Sequence, residues 1–237
     1  MTHNDEVRDA VRHFWQTRGM QSSSQGDGTD RDRGARSAVT GGKQMDGFVR
    51  LIQSALVAAN VPEACIGIGK RIELPGWFRA EKQWDLIVVH DGELLAALEF
   101  KSQIGPSFGN NFNNRTEEAL GSATDIWAAY REGAFRPSAR PFLGYLMLLE
   151  DCPRSCSPVK VVEPHFKVFP EFHGASYRDR YAILIEKLLR ERLYDGACLL
   201  LSSSDTAGTG DYSEPHSELT FAKFVAPLLG HVKSLCK

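Results

Sequence analysis

One apolar hairpin with charged residues at its rim limits the fold of this chain more than any other stretch. Its first strand is predicted from Asp85 to Val89 and its second from Leu94 to Lys101, with the turn signal Asp91-Gly92 between them. Apolar middles of this kind are typical of strands that are covered on both faces. Charged side chains at the ends of such strands cost free energy unless something binds them. We therefore expect two central strands that present a polar site at one end.

The pairing register decides whether the two carboxylates of this hairpin can act together. Asp85 and Glu99 share a face of the sheet only if the turn has an odd number of residues or one strand carries a bulge. A three-residue loop, Asp91-Gly92-Glu93, places Asp85 opposite Glu99, whereas a strict two-residue turn without a bulge separates them. Lys101 lies two residues after Glu99 and so points to the same side. The pattern predicts that the three charged side chains converge.

These residue types favour a hard metal ion. Carboxylate oxygens dominate this end of the hairpin, and they match Mg²⁺ or Mn²⁺ better than zinc. Such an ion stabilises negative charge that develops on a phosphate and lowers the pKa of a water molecule. We expect Asp85 and Glu99 as metal ligands, together with the backbone carbonyl of Phe100, and Lys101 as the catalytic lysine. The alternative is a salt bridge at the rim of the hairpin without a metal.

Asp46 is a further candidate at this site. Apolar residues recur with helical spacing from Met45 to Ala59, and Pro62 ends the predicted helix. Asp46 lies in the first turn, where the helix dipole alone favours an acidic residue. Its carboxylate therefore either stabilises the helix or supports the metal site.

A basic segment near the N-terminus is a candidate for phosphate contact. Residues 19–42 follow a helix predicted from Asp5 to Trp15, and residues 21–28 lack apolar side chains. The segment either forms a solvated loop or orders on phosphates, because arginine forks match phosphate oxygens. The basic residues concerned are Arg31, Arg33, Arg36 and Lys43.

A second polar segment, from Ser102 to Arg115, is rich in Gly and Asn. A loop of this length in a compact domain is usually functional or disordered, and amide side chains can make paired hydrogen bonds to an adenine edge in the major groove. Asn and Gly are also ordinary turn formers. The next helix is expected to begin at Asn114. The candidate DNA contacts in this segment are Gln103, Ser107, Asn110, Asn111, Asn113, Asn114 and Arg115.

The order of elements predicts an α/β fold with a mixed central sheet flanked by helices. Further strands are expected at residues 66–74, 142–149 and 197–201, and further helices from Ser176 to Leu193 and from Pro215 to Leu235.

The length fits a single domain. With 237 residues and 42% hydrophobic content, the chain is large enough to pack one core over residues 1–237. We expect the catalytic core at residues 45–150 and flexible loops at residues 19–42 and 202–214.

Composition excludes several classes of protein. The formal net charge of −2 excludes a bulk polycation, so DNA contacts must come from local clusters. An odd number of cysteines, five, fits reduced thiols. The chain shows no apolar run of membrane-spanning length and no signal-peptide pattern, which predicts a cytoplasmic protein. The spacing of Cys152, Cys156, His165 and His173 does not match paired zinc ligands.

Five longer blocks of the sequence carry a more specific signal: Ala38 to Phe48, Lys82 to Asp85, Leu98 to Gln103, Gly105 to Leu120 and Glu163 to Phe166. These blocks resemble the XhoI family of type II restriction endonucleases, within the PD-(D/E)xK nuclease superfamily. They run through most of the chain and are far more specific than the charged hairpin alone. One departure from the superfamily label is that Trp84, not proline, precedes Asp85.

The resemblance implies a restriction-endonuclease-like core and Mg²⁺-dependent cleavage of both strands of CTCGAG with 5′ overhangs, with Mn²⁺ as a substitute metal. It implies Asp85 and Glu99 as metal ligands and Lys101 as the catalytic lysine. It also implies a bacterial host whose DNA a cognate methyltransferase protects. A palindromic site that is cut on both strands calls for a homodimer on double-stranded DNA.

Two other functions stay open at this point. A DNA repair or recombination nuclease of the same fold would cut by DNA structure rather than by sequence. A DNA-binding or assembly protein without catalysis would use the charges of the hairpin structurally. Incubation of plasmid DNA with Mg²⁺ distinguishes the three functions.

Overall fold

The computed structural model describes residues 3–24 and 43–236. The α-helices are His3–Ser24 (α1), Asp46–Ala58 (α2), Phe108–Arg131 (α3), Pro153–Cys156 (α4), Tyr177–Arg190 (α5) and Phe221–Leu235 (α6). The β-strands are Ile66–Gly67 (β1), Glu73–Pro75 (β2), Glu81–Gln83 (β3), Leu86–His90 (β4), Glu93–Gln103 (β5), Phe142–Glu150 (β6) and Gly196–Ser202 (β7). Within these residues, no helix combines the length and apolar character that a membrane crossing needs.

A five-stranded mixed sheet, in the order β1-β4-β5-β6-β7, forms the centre of the fold. β1, β4 and β5 are antiparallel neighbours, whereas β5, β6 and β7 run parallel. Side chains from α1, α2 and α6 cover one face, and side chains from α3 and α5 cover the other. Because both faces are covered, the central strands are apolar almost throughout. The predicted α/β class with a mixed sheet between helices is confirmed.

A bulge in the β4–β5 hairpin sets its register. His90 pairs with Glu93 across a two-residue turn, in which Asp91 and Gly92 have φ angles of 49° and 81°. These positive angles are typical of a type I′ turn. Of the two arrangements that the sequence allowed, an odd-length loop or a bulge, the structure therefore has the second.

The bulge restores the register that a two-residue turn alone would lose. Val88 pairs with Ala96 but Val89 pairs with Leu94, so Leu95 is the extra residue of β5. On the side of the bulge away from the turn, Leu86 pairs with Leu98. One residue further along, this register sets Asp85 opposite Glu99.

The predicted strand at residues 66–74 is wrong as a single element. Ile66–Gly67 pairs with β4, whereas Glu73–Pro75 pairs with β3 in a separate two-stranded sheet. Gly69 and Arg71 between them have φ angles of 67° and 55°, a left-handed conformation that interrupts an extended chain.

The segment from Ser102 to Arg115 is mostly regular structure rather than the predicted loop. β5 continues to Gln103, and α3 begins at Phe108, ahead of the predicted start at Asn114. Phe108 and Phe112, one helical turn apart, pack on α5, where Phe108 stacks on Tyr177 at 5.7 Å between ring centroids. This aromatic packing outweighs the local turn preference of Asn and Gly.

The loop predicted at residues 19–42 does not begin at residue 19, because residues 19–24 continue α1. Near this end of the helix, Arg18 Nη1 donates a hydrogen bond to Gln44 Oε1 at 3.3 Å. The rest of the predicted loop, residues 25–42, lies outside the described residues, and so do the candidate phosphate contacts Arg31, Arg33 and Arg36.

Residues 202–214, predicted as a flexible loop, form turns and a short 3₁₀ helix and contact the sheet. Ser202 ends β7, and its hydroxyl accepts from Trp15 Nε1 at 3.0 Å and donates to the Asp211 carbonyl at 2.8 Å. Leu201 and Ser213 form an isolated antiparallel bridge. The last helix begins later than predicted, at Phe221, where Thr220 caps it.

Candidate active site

The hairpin brings Asp85, Glu99 and Lys101 to one end of the sheet. The Phe100 N–H donates to Asp85 Oδ2 at 2.6 Å, which fixes the Asp85 side chain beside β5. Lys101 Nζ lies 2.9 Å from Glu99 Oε1. Glu99 is only 2% exposed, so this ion pair differs from a salt bridge at a solvated rim.

Two further side chains, which the sequence did not single out, complete the surroundings of Glu99. Lys82 Nζ lies 3.2 Å from Glu99 Oε1 and 4.3 Å from the centre of the Trp84 ring. The Tyr194 hydroxyl is 3.4 Å from Glu99 Oε2 and donates to the Ala119 carbonyl at 3.2 Å. The signal for Lys82 is its place just before Trp84-Asp85, but its contact with Glu99 depends on tertiary structure.

A buried carboxylate holds the strand that carries Lys82. Asp125 of α3 accepts hydrogen bonds from the Trp77 and Phe78 N–H groups at 2.8 and 2.7 Å, and it pairs with Arg79 Nε at 2.7 Å. These contacts fix the turn between β2 and β3. Lys82 therefore approaches Glu99 from a braced hairpin.

The electrostatics of the two carboxylates differ. Burial raises the pKa of Asp85 above its usual value, and the hydrogen bond from Phe100 and the charge of Lys101 offset this only in part. Burial also acts to raise the pKa of Glu99, but the charges of Lys101 and Lys82 outweigh it and leave that pKa lowered. Asp85 is thus the carboxylate that lacks sufficient positive charge.

Lys101 stays protonated in this site. Burial acts to lower the pKa of its ammonium group, but the Glu99 carboxylate beside it outweighs burial and raises that pKa. A lysine in this state donates hydrogen bonds and positive charge rather than accepting a proton.

The donor set fits a hard divalent cation. Asp85 uses Oδ2 for the Phe100 N–H, and none of the hydrogen bonds among the described residues reaches its Oδ1. The N–H and C=O of one strand residue point to the same edge, so the Phe100 carbonyl faces the Asp85 side as its N–H does. These oxygens and Glu99 are the ligand types that Mg²⁺ and Mn²⁺ prefer.

The first two turns of α3 carry most of the amide candidates. Asn110, Asn113 and Asn114 are exposed, and their i, i+3, i+4 spacing puts them on one face of the helix. Ser107 precedes the helix and is exposed, and Asn111 is half-buried. Arg115 pairs with Glu118 on the same helix.

Three other candidates lie elsewhere. Gln103 is 3% exposed, and its amide donates to the Phe108 carbonyl at 3.0 Å and accepts from the Tyr181 hydroxyl, so these internal partners occupy the side chain and its role as a DNA contact stays a prediction. Asp46 is exposed at the start of α2, on the opposite face of the sheet from α3, and no hydrogen bond or ion pair among the described residues joins it to Asp85 or Glu99. Lys43 is exposed, and its carbonyl lies 3.3 Å from His13 Nε2.

Neutral replacement of the two carboxylates should change stability in opposite directions in metal-free protein. The raised pKa of Asp85 means that its ionised form destabilises the fold, so Asp85→Asn should increase the free energy of unfolding near neutral pH. Glu99→Gln should decrease it by about 2 kcal/mol, because Lys82 and Lys101 lose their partner. Urea denaturation with a chelator present measures both effects.

The pH dependence follows from the same shifts. The Glu99 contribution should be complete above the ordinary glutamate range and should disappear as pH falls through the lowered pKa of Glu99. The Asp85 penalty should grow as pH rises from the ordinary aspartate range through its raised pKa. Glu117→Gln, at an exposed position of α3, is the control. A stabilising Glu99→Gln substitution at neutral pH would contradict this description.

Comparison with known proteins identifies the family. The family model for the restriction endonuclease XhoI matches residues 24–214. The type II restriction enzyme BstVI of Geobacillus stearothermophilus is 52% identical over 207 residues, which cover 85% of this chain and 92% of that protein. The type II restriction enzyme XhoI of Xanthomonas vasicola is 45% identical over 185 residues, covering 77% of this chain and 74% of that protein.

A third relative agrees with these two. The type II restriction enzyme AbrI of Azospirillum brasilense is 48% identical over 163 residues, covering 68% of this chain and 73% of that protein. No solved structure matches the chain at a significant level. The family match and the extent of these similarities lead to one conclusion: the chain belongs to the XhoI family of type II restriction endonucleases and is a site-specific deoxyribonuclease that binds double-stranded DNA.

Proposed function

We propose that this enzyme cleaves both strands of the palindrome CTCGAG with Mg²⁺ and leaves 5′ overhangs. The observation that carries the proposal is the convergence of two carboxylates and a protonated lysine at the end of a central hairpin, in a chain that is 45% identical to an enzyme named XhoI. A largely buried cluster with this composition suits phosphodiester hydrolysis better than a structural role, because buried charges are costly.

Asp85, Glu99 and the Phe100 carbonyl are the proposed ligands for Mg²⁺, and Mn²⁺ can take its place. When bound, such an ion supplies Lewis acidity toward the phosphate and lowers the pKa of a water molecule. The shortage of positive charge at Asp85 supports this assignment, since a cation beside Oδ1 relieves it. Asp46 lies on a helix at the opposite face of the sheet and remains a prediction as a supporting residue.

Lys101 and Lys82 have distinct proposed roles. Lys101 lies on the same strand and face as Glu99, and its protonated ammonium group can orient the attacking water or stabilise the developing negative charge of the phosphate. Lys82 shares Glu99 Oε1 and stacks on Trp84, so it acts as a positioning residue that holds the Glu99 carboxylate. Tyr194 restrains the other oxygen of Glu99.

DNA recognition is assigned to the exposed face at the start of α3. Asn110, Asn113 and Asn114 present amides that can pair with adenine edges in the major groove. The helix N-terminus attracts phosphate, and Ser107, Asn111 and Arg115 lie close to it in the chain. Further phosphate contacts are proposed from Arg31, Arg33, Arg36 and Lys43.

The proposed biological unit is a homodimer, because a two-fold symmetric site that is cut on both strands needs two symmetric active sites. We assign residues 1–237 to one endonuclease domain with its catalytic core at 45–150. A cognate methyltransferase would protect the same site in the host, and the pair would act on DNA in the bacterial cytoplasm.

Plasmid digestion tests the proposed function. A plasmid with one CTCGAG site should become linear with Mg²⁺, and end sequencing should show 5′ overhangs within that site. Lys101→Ala and Glu99→Gln should each reduce the cleavage rate by about 10²-fold or more, because the first removes positive charge that stabilises the transition state and the second removes a proposed metal ligand. Both variants should still bind the site with Ca²⁺ in place of Mg²⁺.

Lys223→Ala is the matched control, because the exposed Lys223 of α6 pairs with Glu218, an exposed residue just before that helix. Its cleavage rate should equal that of the unchanged protein. Cutting at many sequences or preferentially at branched DNA would refute sequence-specific restriction, and full activity of Lys101→Ala would refute the catalytic assignment.

Asparagine substitutions test the recognition face. Asn113→Ala and Asn114→Ala should each lower kcat/KM on CTCGAG by roughly ten- to a hundred-fold, because one paired amide contact contributes about 1 to 3 kcal/mol. Non-specific DNA binding at low salt should change little. Glu132→Ala, at the far end of α3, serves as the control for effects on helix stability. Unchanged kcat/KM in both variants would show that these amides do not read the site.

A further inference from the structure

Three side chains with soft ligand atoms meet at the edge of the sheet, away from the carboxylate site. Cys65 ends the short 3₁₀ helix before β1, His90 ends β4, and Cys236 follows α6. One ligand atom from each lies within 4.8 Å of the others. All three residues are half-buried, so an ion could reach them from solvent.

The geometry of this cluster resembles an edge of a tetrahedral zinc site. Cys65 Sγ lies 3.4 Å from His90 Nδ1. Zinc bonds of about 2.3 Å to sulfur and about 2.0 Å to nitrogen place two such ligands roughly 3.5 Å apart in a tetrahedron. The observed separation therefore needs little movement on binding.

The second nitrogen of His90 supports the same interpretation. His90 Nε2 lies 3.5 Å from Asp91 Oδ2. Histidine ligands commonly donate their other N–H to a carboxylate, which fixes the ring and strengthens the ligand. A hairpin turn that presents Asp91 next to His90 provides this arrangement.

We propose that Cys65, His90 and Cys236 bind a zinc-class divalent cation, with a water molecule as the fourth ligand. Thiolates and imidazole select such an ion over Mg²⁺, so this site and the carboxylate site take different metals. On binding, the two thiols release their protons to solvent and no electron is transferred. The ion would link the C-terminal end of α6 to β1 and to the turn of the bulged hairpin.

Burial, followed by the proximity of Cys236 and Asp91, raises the pKa of the Cys65 thiol. The thiol is therefore protonated at neutral pH without a cation.

The cysteines and histidines between residues 152 and 173, which the sequence spacing argued against as zinc ligands, have other partners. Cys156 Sγ donates to Asp151 at 3.1 Å, and His173 pairs with Glu163 at 3.2 Å.

Titration of the metal-free, reduced protein with Co²⁺ tests the proposal. We expect thiolate charge-transfer bands and the strong visible bands of tetrahedral cobalt, saturating at one ion per chain and abolished by Zn²⁺. Cys65→Ser and Cys236→Ser should each lose the thiolate bands or most of their intensity. Asp91→Asn, which preserves the turn, should weaken Co²⁺ binding about tenfold. Zn²⁺ should raise the Tm of the unchanged protein but not that of Cys236→Ser.

The double variant Cys152→Ser, Cys156→Ser is the matched control, since these half-buried cysteines lie outside the cluster. It should keep the bands. Absence of thiolate bands in the unchanged protein would overturn the proposal, and so would their survival in Cys236→Ser. A Cys65–Cys236 disulfide, seen as a loss of two hydrogens by mass spectrometry when no reductant is present, together with no Co²⁺ binding under reducing conditions, would assign the pair to redox chemistry instead.

Discussion

The structure depends on one extra residue in β5. A two-residue turn at Asp91-Gly92 satisfies the local twist of the hairpin, but alone it would direct Asp85 and Glu99 to opposite faces. The bulge at Leu95 shifts the register by one residue, so that a favourable turn and a shared face coexist. Every later feature of the site, from the contact of Phe100 with Asp85 to the pairing of Glu99 with lysine, follows from that register.

The two carboxylates of this site receive unequal amounts of positive charge. Lys82 and Lys101 converge on the same oxygen of Glu99, whereas Asp85 has one backbone N–H and a raised pKa. If lysine ammonium groups neutralised both carboxylates, a bound cation would add little further stabilisation to either one. The imbalance suits the proposed uptake of a divalent ion together with a phosphate. Asp125 of α3 braces the turn between β2 and β3 and so positions Lys82.

The sequence predicted the parts of the site that depend on short-range periodicity. Alternation along one strand relates Glu99 to Lys101, and continuous apolar runs marked β5, β6 and β7. The start of α3 was missed, because Asn and Gly indicate a turn locally while Phe108 and Phe112 gain their partners only from α5. Lys82 and the cluster of Cys65, His90 and Cys236 were missed for the same reason: the residues are brought together by tertiary structure and have no common spacing.

The proposed cation site draws its ligands from both strands of the bulged hairpin: Asp85, Glu99 and the Phe100 carbonyl. A crystal structure of the protein with Mn²⁺ and a non-cleavable CTCGAG duplex, with the ion located by its anomalous signal, tests this assembly. We expect a peak at about 2.0 to 2.4 Å from oxygens of these three residues and beside the phosphate. A peak that lies away from Asp85 and Glu99, with Lys82 and Lys101 still paired to Glu99, would contradict it.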